Sequence, residues 1–268
     1  GARSRGWAEM KVSKGRVIVT GATRGIGRAT VDAILESGGR VVGVARNREA
    51  LHALEAVTPG RFIGVAADLE EVDGLGKVAQ RAIDAFEGVD GLVNCAGIAR
   101  YERVGWISLE SIESQLRVNL GAPLLLAQAV AEHLRGDARG GSIVNVSSTL
   151  SERVAESTAV YAATKAALNA LTRSLALELA PAGIRVNAVL PGGVETDMLR
   201  APRLRPGESL SESELAQRVE SQLAGLAALH PLGRLGRPEE IAEVVVATLD
   251  RPWQTGSLVT IDGGLSLS

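Results

Sequence analysis

The sequence has a single cysteine, few histidines and no excess of either charge. Cys95 is the only cysteine among 268 residues, which excludes an intrachain disulfide and a zinc site built on thiolates. We interpret it as a small buried residue rather than a nucleophile. His52, His133 and His230 lie far apart without the spacing of metal ligands, so we interpret them as structural or surface residues and expect no metal.

Long apolar runs are missing as well. A formal net charge of −2 leaves no basic face for nucleic acid or an anionic membrane, and no apolar run approaches the ~20 residues of a membrane helix. Residues 1–13 lack the apolar core of a signal peptide, so we expect a flexible N-terminal extension and a cytoplasmic protein. With 46% hydrophobic and 22% charged residues, the remainder, 14–268, is expected to form one domain.

Strand and helix patterns alternate along the whole chain. β-Branched runs predict strands at 16–20, 40–44, 61–65, 91–94, 142–147, 184–190 and 258–261, and helical patterns occupy 26–36, 48–56, 71–86, 109–134, 159–180, 212–228 and the stretch from Pro238. Pro123 either kinks its helix or lies where the lost hydrogen bond is tolerated. The alternation predicts an α/β fold, a single-domain Rossmann-like doubly wound parallel sheet with helices on both faces. The segment 198–230 breaks this rhythm, and we expect it to form a lid over the substrate.

Tyr161 and Lys165 lie four residues apart in the predicted helix 159–180, and therefore on one face of it. An unperturbed tyrosine titrates near pH ~10, but a neighbouring cation favours the phenolate and lowers its pKa. Such a pair can donate and accept protons. Ser148 follows a predicted strand, at the end where open α/β sheets bind their ligands. Taken by itself, the Tyr-x-x-x-Lys pattern also fits an ordinary amphipathic helix surface.

A glycine-rich turn follows the first strand and opens the first helix. In Gly21-Ala22-Thr23-Arg24-Gly25-Ile26-Gly27 the glycines allow backbone N–H groups to approach an anion, and the helix N-terminus adds its partial positive charge. A bare strand–helix turn is the alternative. The position directly after the first strand favours a dinucleotide site.

The end of the second strand indicates which dinucleotide is bound. NAD sites often have an acidic residue there, but this sequence has Arg46 and no carboxylate. Arg46, with Arg24 in the glycine turn, could pair with a 2′-phosphate through charge-assisted hydrogen bonds. The sequence therefore favours NADP(H) over NAD(H).

In combination these motifs resemble the short-chain dehydrogenase/reductase family in its short single-domain form, over about 15–265. The resemblance implies that Asn119, Ser148, Tyr161 and Lys165 form the catalytic set, with Asn119 holding a proton-relay water. The family's cofactor-binding positions fall on Gly21, Thr23, Arg24, Gly25, Ile26, Gly27, Arg46, Asp68, Leu69, Asn94, Ala96, Gly97, Tyr161, Lys165, Pro191, Gly192, Val194 and Thr196. Cys95 replaces the second asparagine of the family's Asn-Asn-Ala-Gly pattern.

The resemblance implies reversible hydride transfer between NADP(H) and a ketone, aldehyde or secondary alcohol. Two branches are about equally similar, the 3-oxoacyl-thioester reductases and the small-dicarbonyl and xylulose reductases. A polyol, sugar or cyclic-alcohol dehydrogenase of the same family is an alternative, and a non-catalytic NADP(H)-sensing protein is another. We expect the substrate to meet residues 100–106, 149–155 and 198–230. Arg100, Glu152 and Arg153 could contact a polar or anionic substrate, or they are ordinary solvated loop charges.

The resemblance also implies a homotetramer, or a homodimer, built on the helices near 109–134 and 159–180. Both helices are apolar over more of their circumference than one sheet face requires. Small residues, Ala163, Ala166, Ala167 and Ala170, would let two copies approach closely. The alternative is that both helices are covered within the monomer.

Overall fold

Parallel strands form the centre of the molecule in the computed structural model, which describes residues 10–137, 140–205 and 207–267. The strands are β1 (Arg16–Thr20), β2 (Arg40–Ala45), β3 (Phe62–Ala66), β4 (Gly91–Asn94), β5 (Gly141–Val146), β6 (Ile184–Pro191) and β7 (Leu258–Ile261). Their order in the sheet is β3-β2-β1-β4-β5-β6-β7. The chain reverses direction across the sheet between β3 and β4, which leaves a crevice at the carboxyl ends of β1 and β4.

Helices cover both faces of this sheet. They are α1 (Gly25–Glu36), α2 (Arg48–Val57), α3 (Leu75–Asp84), α4 (Leu109–Leu116), α5 (Ala122–Asp137), α6 (Ala159–Leu179), α7 (Asp197–Arg200), α8 (Glu212–Ala228) and α9 (Pro238–Asp250). Alternate side chains of β1 pack on opposite layers: Ile18 lies in the core with α3, α5 and α6, and Val17 and Val19 in the core with α1, α2 and α9. The predicted parallel sheet with helices on both faces is confirmed.

The predicted continuous helix over 109–134 is wrong. The segment instead consists of α4, a π-helical turn at Arg117–Gly121, and α5. In this turn the N–H of Ala122 donates to the carbonyl of Arg117, five residues earlier. Pro123 has no N–H, so it cannot donate to the carbonyl of Asn119 as a regular helix would require. The widened turn carries Asn119.

The predicted helix over 71–86 is shorter than expected at both ends. A 3-10 turn occupies Val72–Gly74, and α3 begins at Leu75 and ends at Asp84. The short helix α7 was not predicted. The strands and the remaining helices begin and end within two residues of the bounds predicted for them.

The N-terminal extension predicted for residues 1–13 lies largely outside the described residues, which begin at Met10. The part described is attached to the domain: the Val12 side chain is 1% exposed, and its N–H donates to Asp250 Oδ1 at 2.7 Å. Ordered packing therefore starts at least as early as Val12.

A buried threonine holds the ends of β1 and β4 together. Thr20 Oγ1 accepts hydrogen bonds from the N–H groups of Cys95 and Ala96, both at 3.0 Å. The strand ends bordering the crevice are therefore fixed relative to each other. No helix among the described residues is both long enough and apolar enough to span a membrane.

Candidate active site

The glycine turn is closely packed against the strands and loop around the crevice. A Cβ on Gly27 would lie 2.2 Å from the carbonyl oxygen of Gly21, so no side chain fits where α1 begins. A Cβ on Gly21, whose φ is +68°, would meet the Ala96 backbone at 3.1 Å, and one on Gly25 would meet Thr196 at 3.2 Å. The turn therefore brings the first helix against both the β4 end and the 191–196 loop.

The N-terminus of α1 can receive an anion. Its N-cap residue, Arg24, is extended and makes no side-chain cap hydrogen bond, so no cap side chain competes for the first N–H groups of the helix. Such an end attracts phosphate through its N–H groups and its partial charge. Together with the close backbone approach at the glycines, the residues present fit the pyrophosphate of a dinucleotide.

Apart from Ile26 and Leu69, which pack in the core, the other predicted cofactor positions lie at the same carboxyl edge of the sheet. Thr23 is half-buried in the turn, and Ile26 is packed against the core. Leu69 is 7% exposed and belongs to the core on the other sheet face. The exposed Asp68 lies 3.8 Å from Arg46, measured between Oδ2 and Nη1.

The loop after β6 is held on both sides. The Gly192 N–H donates to the carbonyl of Ile261 at 3.0 Å, and Val194 makes a β-bridge with Gly236. Pro191 is buried as the last residue of β6, and its carbonyl accepts from Thr149 Oγ1 at 3.3 Å. The loop predicted to receive a nicotinamide is thus fixed to both β7 and the segment that carries Ser148.

Helix α6 places Tyr161 and Lys165 on its buried face. Tyr161 is 8% exposed and Lys165 is 3% exposed. The Lys165 ammonium donates to the carbonyl of Val146, the last residue of β5, at 2.8 Å. Its Nζ lies 5.7 Å from the centre of the Tyr161 ring. The ammonium therefore lies over the face of the ring. Its hydrogen bond to Val146 joins α6 to the sheet.

Ser148 lies two residues past the end of β5 and beside the Tyr161 phenol. Its Oγ accepts from the N–H of Leu150 at 3.1 Å, which caps a 3-10 turn at Thr149–Ser151. Because the oxygen is the acceptor there, the hydroxyl hydrogen remains available to donate. The turn is held to α6 by a hydrogen bond of 2.8 Å from Asn169 Nδ2 to Ser151 Oγ.

Asn119 joins the π turn to the segment after β4. Its Oδ1 accepts from the N–H of Ile98 at 2.9 Å, and its Nδ2 donates to the carbonyl of Ile98 at 2.8 Å and to Thr164 Oγ1 at 3.1 Å. A Cβ on Gly97 would lie 3.3 Å from Asn119 Oδ1 and 3.5 Å from Lys165 Nζ. The structure thus brings Asn119, Lys165 and Gly97 together, and the Asn119 amide is occupied by protein partners.

The electrostatics of the tyrosine differ from the sequence-based expectation. Burial raises the pKa of Tyr161, and the neighbouring Tyr101 raises it further, whereas a hydrogen bond with Ser148 acts in the opposite direction. The sequence predicts that Lys165 lowers this pKa, but burial is the largest effect and the net direction is upward. Tyr161 is 8% exposed, and burial lowers the pKa of the Lys165 ammonium from 10.5 to about 8.

The charge of Lys165 lowers the pKa of the Cys95 thiol, but burial has the larger effect and raises this pKa to about 12. A thiol in this state is a poor nucleophile at neutral pH. The structure gives it no part in the chemistry.

His230, interpreted from the sequence as structural or surface, is 4% exposed and has a structural role, but nothing in the sequence indicates its partners. Its Nε2 accepts from the N–H of Gly193 at 3.0 Å, so Nδ1 carries the proton and donates to the carbonyl of Leu226 at 2.8 Å. The imidazole therefore connects α8 of the predicted lid to the loop after β6. No spacing in the sequence connects His230 with Gly193. Their proximity appears only in the folded structure, where a Cβ on Gly193 would lie 2.9 Å from the ring.

The predicted substrate segment 100–106 packs against residues 156 and 157, just beyond the predicted segment 149–155. The N–H of Glu102 donates to the carbonyl of Ser157 at 2.9 Å, and Arg103 Nη2 lies 3.7 Å from a carboxylate oxygen of Glu156. Tyr101 belongs to the segment 100–106 and interacts electrostatically with Tyr161. The segment 100–106 therefore borders the tyrosine.

The lowered pKa of Lys165 predicts a specific pH dependence of stability in the protein without cofactor. The folded-state pKa is about 8 against 10.5 in the unfolded chain, so between these values the unfolded state binds more protons and stability rises with pH. Below about pH 8 the Lys165 ammonium stays charged in the folded protein, so the full free-energy cost of burying it is present. Lys165→Met should therefore raise the free energy of unfolding near pH 7 by up to about 3 kcal/mol.

Chemical denaturation of both proteins from pH 7 to above pH 10 measures this effect. The difference between Lys165→Met and the unsubstituted protein should shrink across that range. Lys77→Met, at an exposed position of α3, is the matched control and should change stability little at any pH. A destabilised Lys165→Met variant at pH 7 would contradict the assigned cost of burial.

Comparison with known proteins identifies the family of this chain. The family model for the short chain dehydrogenases matches residues 15–206. Human L-xylulose reductase is 36% identical over 96% of this chain and 98% of its own, and the 3-oxoacyl-(acyl-carrier-protein) reductase FabG of Aquifex aeolicus is 34% identical over 96% and 99%.

A solved structure agrees with these relatives. The crystal structure of a short-chain type dehydrogenase/reductase from Mycobacterium marinum superposes with a TM-score of 0.83 at 29% identity, over 96% of this chain and 98% of the other. The chain belongs to the short-chain dehydrogenase/reductase family, oxidoreductases that act on alcohol or carbonyl groups with a nicotinamide cofactor.

Proposed function

We propose that the protein is an NADPH-dependent reductase of ketones or aldehydes, with the reverse oxidation of secondary alcohols available to it. The observation that carries the proposal is the joint burial of Tyr161 and Lys165 beside Ser148, at the sheet edge where the glycine turn meets the 191–196 loop. The proposed substrate is a 3-oxoacyl compound or a small carbonyl compound; the relatives named above are an L-xylulose reductase and a 3-oxoacyl-(acyl-carrier-protein) reductase.

The bound cofactor supplies the hydride, and the chain's own groups supply the proton and the orientation. Tyr161 is assigned as the proton donor, because its raised pKa keeps the phenol protonated at neutral pH. Ser148 is assigned to donate its hydroxyl hydrogen to the carbonyl oxygen, where negative charge develops in the transition state. Both groups can therefore act on the same oxygen atom.

Lys165 and Asn119 are assigned to proton supply. One N–H of Lys165 is bonded to Val146, which leaves two donors for the cofactor ribose and for a water. The Asn119 amide is already bonded to Ile98 and Thr164. Its backbone carbonyl, to which Pro123 cannot donate, is the acceptor that we assign to the relay water. Protons thus reach Tyr161 from the π turn.

Replacing the Tyr161 phenol with phenyl tests the proposed chemistry. Tyr161→Phe removes the proton donor and keeps the ring, so kcat for an authentic substrate should fall by about 10²–10⁴-fold or more. NADPH oxidation should be followed over 3-oxoacyl thioesters, vicinal diketones, ketoses and cyclic ketones, with NADPH binding measured in parallel. Near-full activity in this variant, with cofactor binding unchanged, would show that the donor is another group.

Preference for NADP(H) is supported by the two arginines at the adenosine end. Arg46 and Arg24 are 64% and 63% exposed and take part only in long ion pairs, of 3.8 Å to Asp68 and 3.9 Å to Asp197. Pairs of this kind contribute little to stability, so either guanidinium can turn to a 2′-phosphate at small cost. We infer that they bind that phosphate.

The arginine prediction concerns the ratio of the two cofactor affinities. Arg46→Ala should raise the Kd for NADPH by about 10- to 100-fold and leave that for NADH nearly unchanged, since a charge-assisted contact is lost only with the phosphate. Arg48→Ala, at the exposed start of α2, is the matched control. Equal affinities of the unsubstituted protein for NADPH and NADH would refute the assignment.

We further propose a homotetramer, or a homodimer, assembled through α5 and α6. The outer face of α6 exposes Ala159, Ala163, Ala166 and Ala170, followed by Leu177 at 82% exposure. On α5, Leu124 is 37% exposed. A row of alanines lets two copies of a helix pack closely about a two-fold axis, whereas a solvent-facing helix surface is normally polar.

Sedimentation at micromolar concentration tests the assembly. The unsubstituted chain should sediment as a multiple of 27.9 kDa, and Ala166→Glu should shift it to the monomer, because the substitution places like charges across the two-fold axis. Glu49→Lys, at an exposed position of α2 outside both helix regions, is the control for a change of charge. A 27.9 kDa monomer of the unsubstituted protein would refute the assembly and leave the catalytic assignment intact.

A further inference from the structure

An arginine of the lid lies directly on the aromatic ring that borders the catalytic tyrosine. Arg203 belongs to the loop between α7 and α8, and its Cζ is 3.9 Å from the centre of the Tyr101 ring. This is well inside the range of a cation–π contact. Tyr101 in turn interacts electrostatically with Tyr161. The N–H of Glu102, next to Tyr101, donates to the carbonyl of Ser157, four residues before Tyr161, so the ring that carries the guanidinium belongs to a segment bonded beside the start of α6.

The Arg203 guanidinium lacks an acceptor among the described residues. Its Nε is buried and has no hydrogen-bond partner, and no carboxylate in the described part of the chain lies within ion-pair distance. Other arginines of the same region are paired: Arg218 with Glu208 at 3.0 Å, and Arg200 with Glu195 at 3.9 Å. A buried N–H without an acceptor costs free energy, and the Nε of Arg203 is such a group.

The backbone of Arg203 is fixed by the lid helix. Its N–H donates to Gln222 Oε1 at 3.3 Å, and its carbonyl accepts from Arg218 Nη1 at 3.5 Å. Gln222 also donates to the carbonyl of Leu199 at 2.8 Å. With its backbone held from α8 and its guanidinium stacked on Tyr101, Arg203 keeps a defined position, and little side-chain entropy remains to be lost when a ligand binds.

We propose that Arg203 binds an anionic group of the substrate, so that the substrate is a carbonyl compound with a carboxylate or phosphate at the end away from Tyr161. The planar guanidinium offers paired N–H donors to two oxygens of either group. The inference rests on the proposed function for the orientation of the substrate, because the carbonyl must face Tyr161 and Ser148. Arg203 thereby selects the substrate class and takes no part in the hydride or proton transfer.

Matched substrates that differ only in charge test this proposal. The first pair is 4-oxopentanoate and its methyl ester, and the second is dihydroxyacetone phosphate and dihydroxyacetone; they distinguish carboxylate from phosphate. For at least one pair the unsubstituted enzyme should prefer the anionic member in kcat/KM by about 10- to 100-fold. Arg203→Gln should remove that preference, because kcat/KM for the anionic member should fall about 10- to 100-fold further than kcat/KM for the neutral member.

Arg205→Gln is the control for the overall positive charge of this loop, because Arg205 is an exposed arginine two residues further along it. It should keep the preference for the anionic substrate. A melting temperature of Arg203→Gln close to that of the unsubstituted protein excludes misfolding as the cause. If neutral ketones are reduced but neither anionic member is preferred, or if Arg205→Gln removes the preference equally, the Arg203 proposal is overturned and the proposed function stands.

Binding of unreactive ligands separates the anion site from turnover. Ligand-observed NMR titration with butyrate, butyramide and inorganic phosphate, in the presence of NADP(H), should show binding of butyrate or phosphate to the unsubstituted protein, weaker binding of butyramide, and loss of the anion signal in Arg203→Gln. That result without reduction of any ketone would support the anion site and contradict the proposed function. Equal binding of butyrate and butyramide, with no binding of phosphate, would overturn the anion site.

Discussion

The hydrogen bond between the Lys165 ammonium and the carbonyl of Val146 is the interaction on which the site depends. It joins the middle of α6 to the last residue of β5 at 2.8 Å, and Ser147 Oγ donates back to the carbonyl of Lys165 at 3.2 Å. Because these bonds lie in a desolvated space, they are stronger than the same bonds in water, but the buried charge is costly. The arrangement fixes α6 against the strand end, and thereby fixes Tyr161 relative to Ser148.

Much of this fold follows from local patterns in the sequence. The sheet could be predicted because its strands are short β-branched runs, and each is separated from the next by a helical stretch. The glycine turn could be predicted for a related reason: a Cβ on Gly27 would clash with the Gly21 carbonyl, so the chemistry of the turn is visible in the residue type. Tyr161 and Lys165 likewise share a helix face through their spacing alone.

The features that could not be predicted depend on contacts between distant segments. The proline at position 123 was visible in the sequence, but the π turn before it could not be predicted. That turn is held by hydrogen bonds between the Asn119 amide and Ile98, which lies on a different segment. The pKa of Tyr161 was assigned the wrong direction, because spacing gives the distance to Lys165 but not the degree of burial. The His230 link between α8 and Gly193 has no counterpart in any local pattern.

The difference in burial between the edge that carries Tyr161 and Lys165 and the helix α8 explains why the reaction class is easier to predict from the sequence than the substrate. Helix α8 contributes no fully buried residue, and it is stabilised locally by the capping box of Ser211 and Glu214. Its link to the catalytic loop passes through the single imidazole of His230, and Gln222 holds the loop that carries Arg203. An element held by so few contacts can change its sequence without disturbing the core. Tyr161 and Lys165 are constrained by packing in the core, and that packing leaves a pattern in the sequence, whereas the segment 198–230 is constrained by a few hydrogen bonds between distant residues, which leave none.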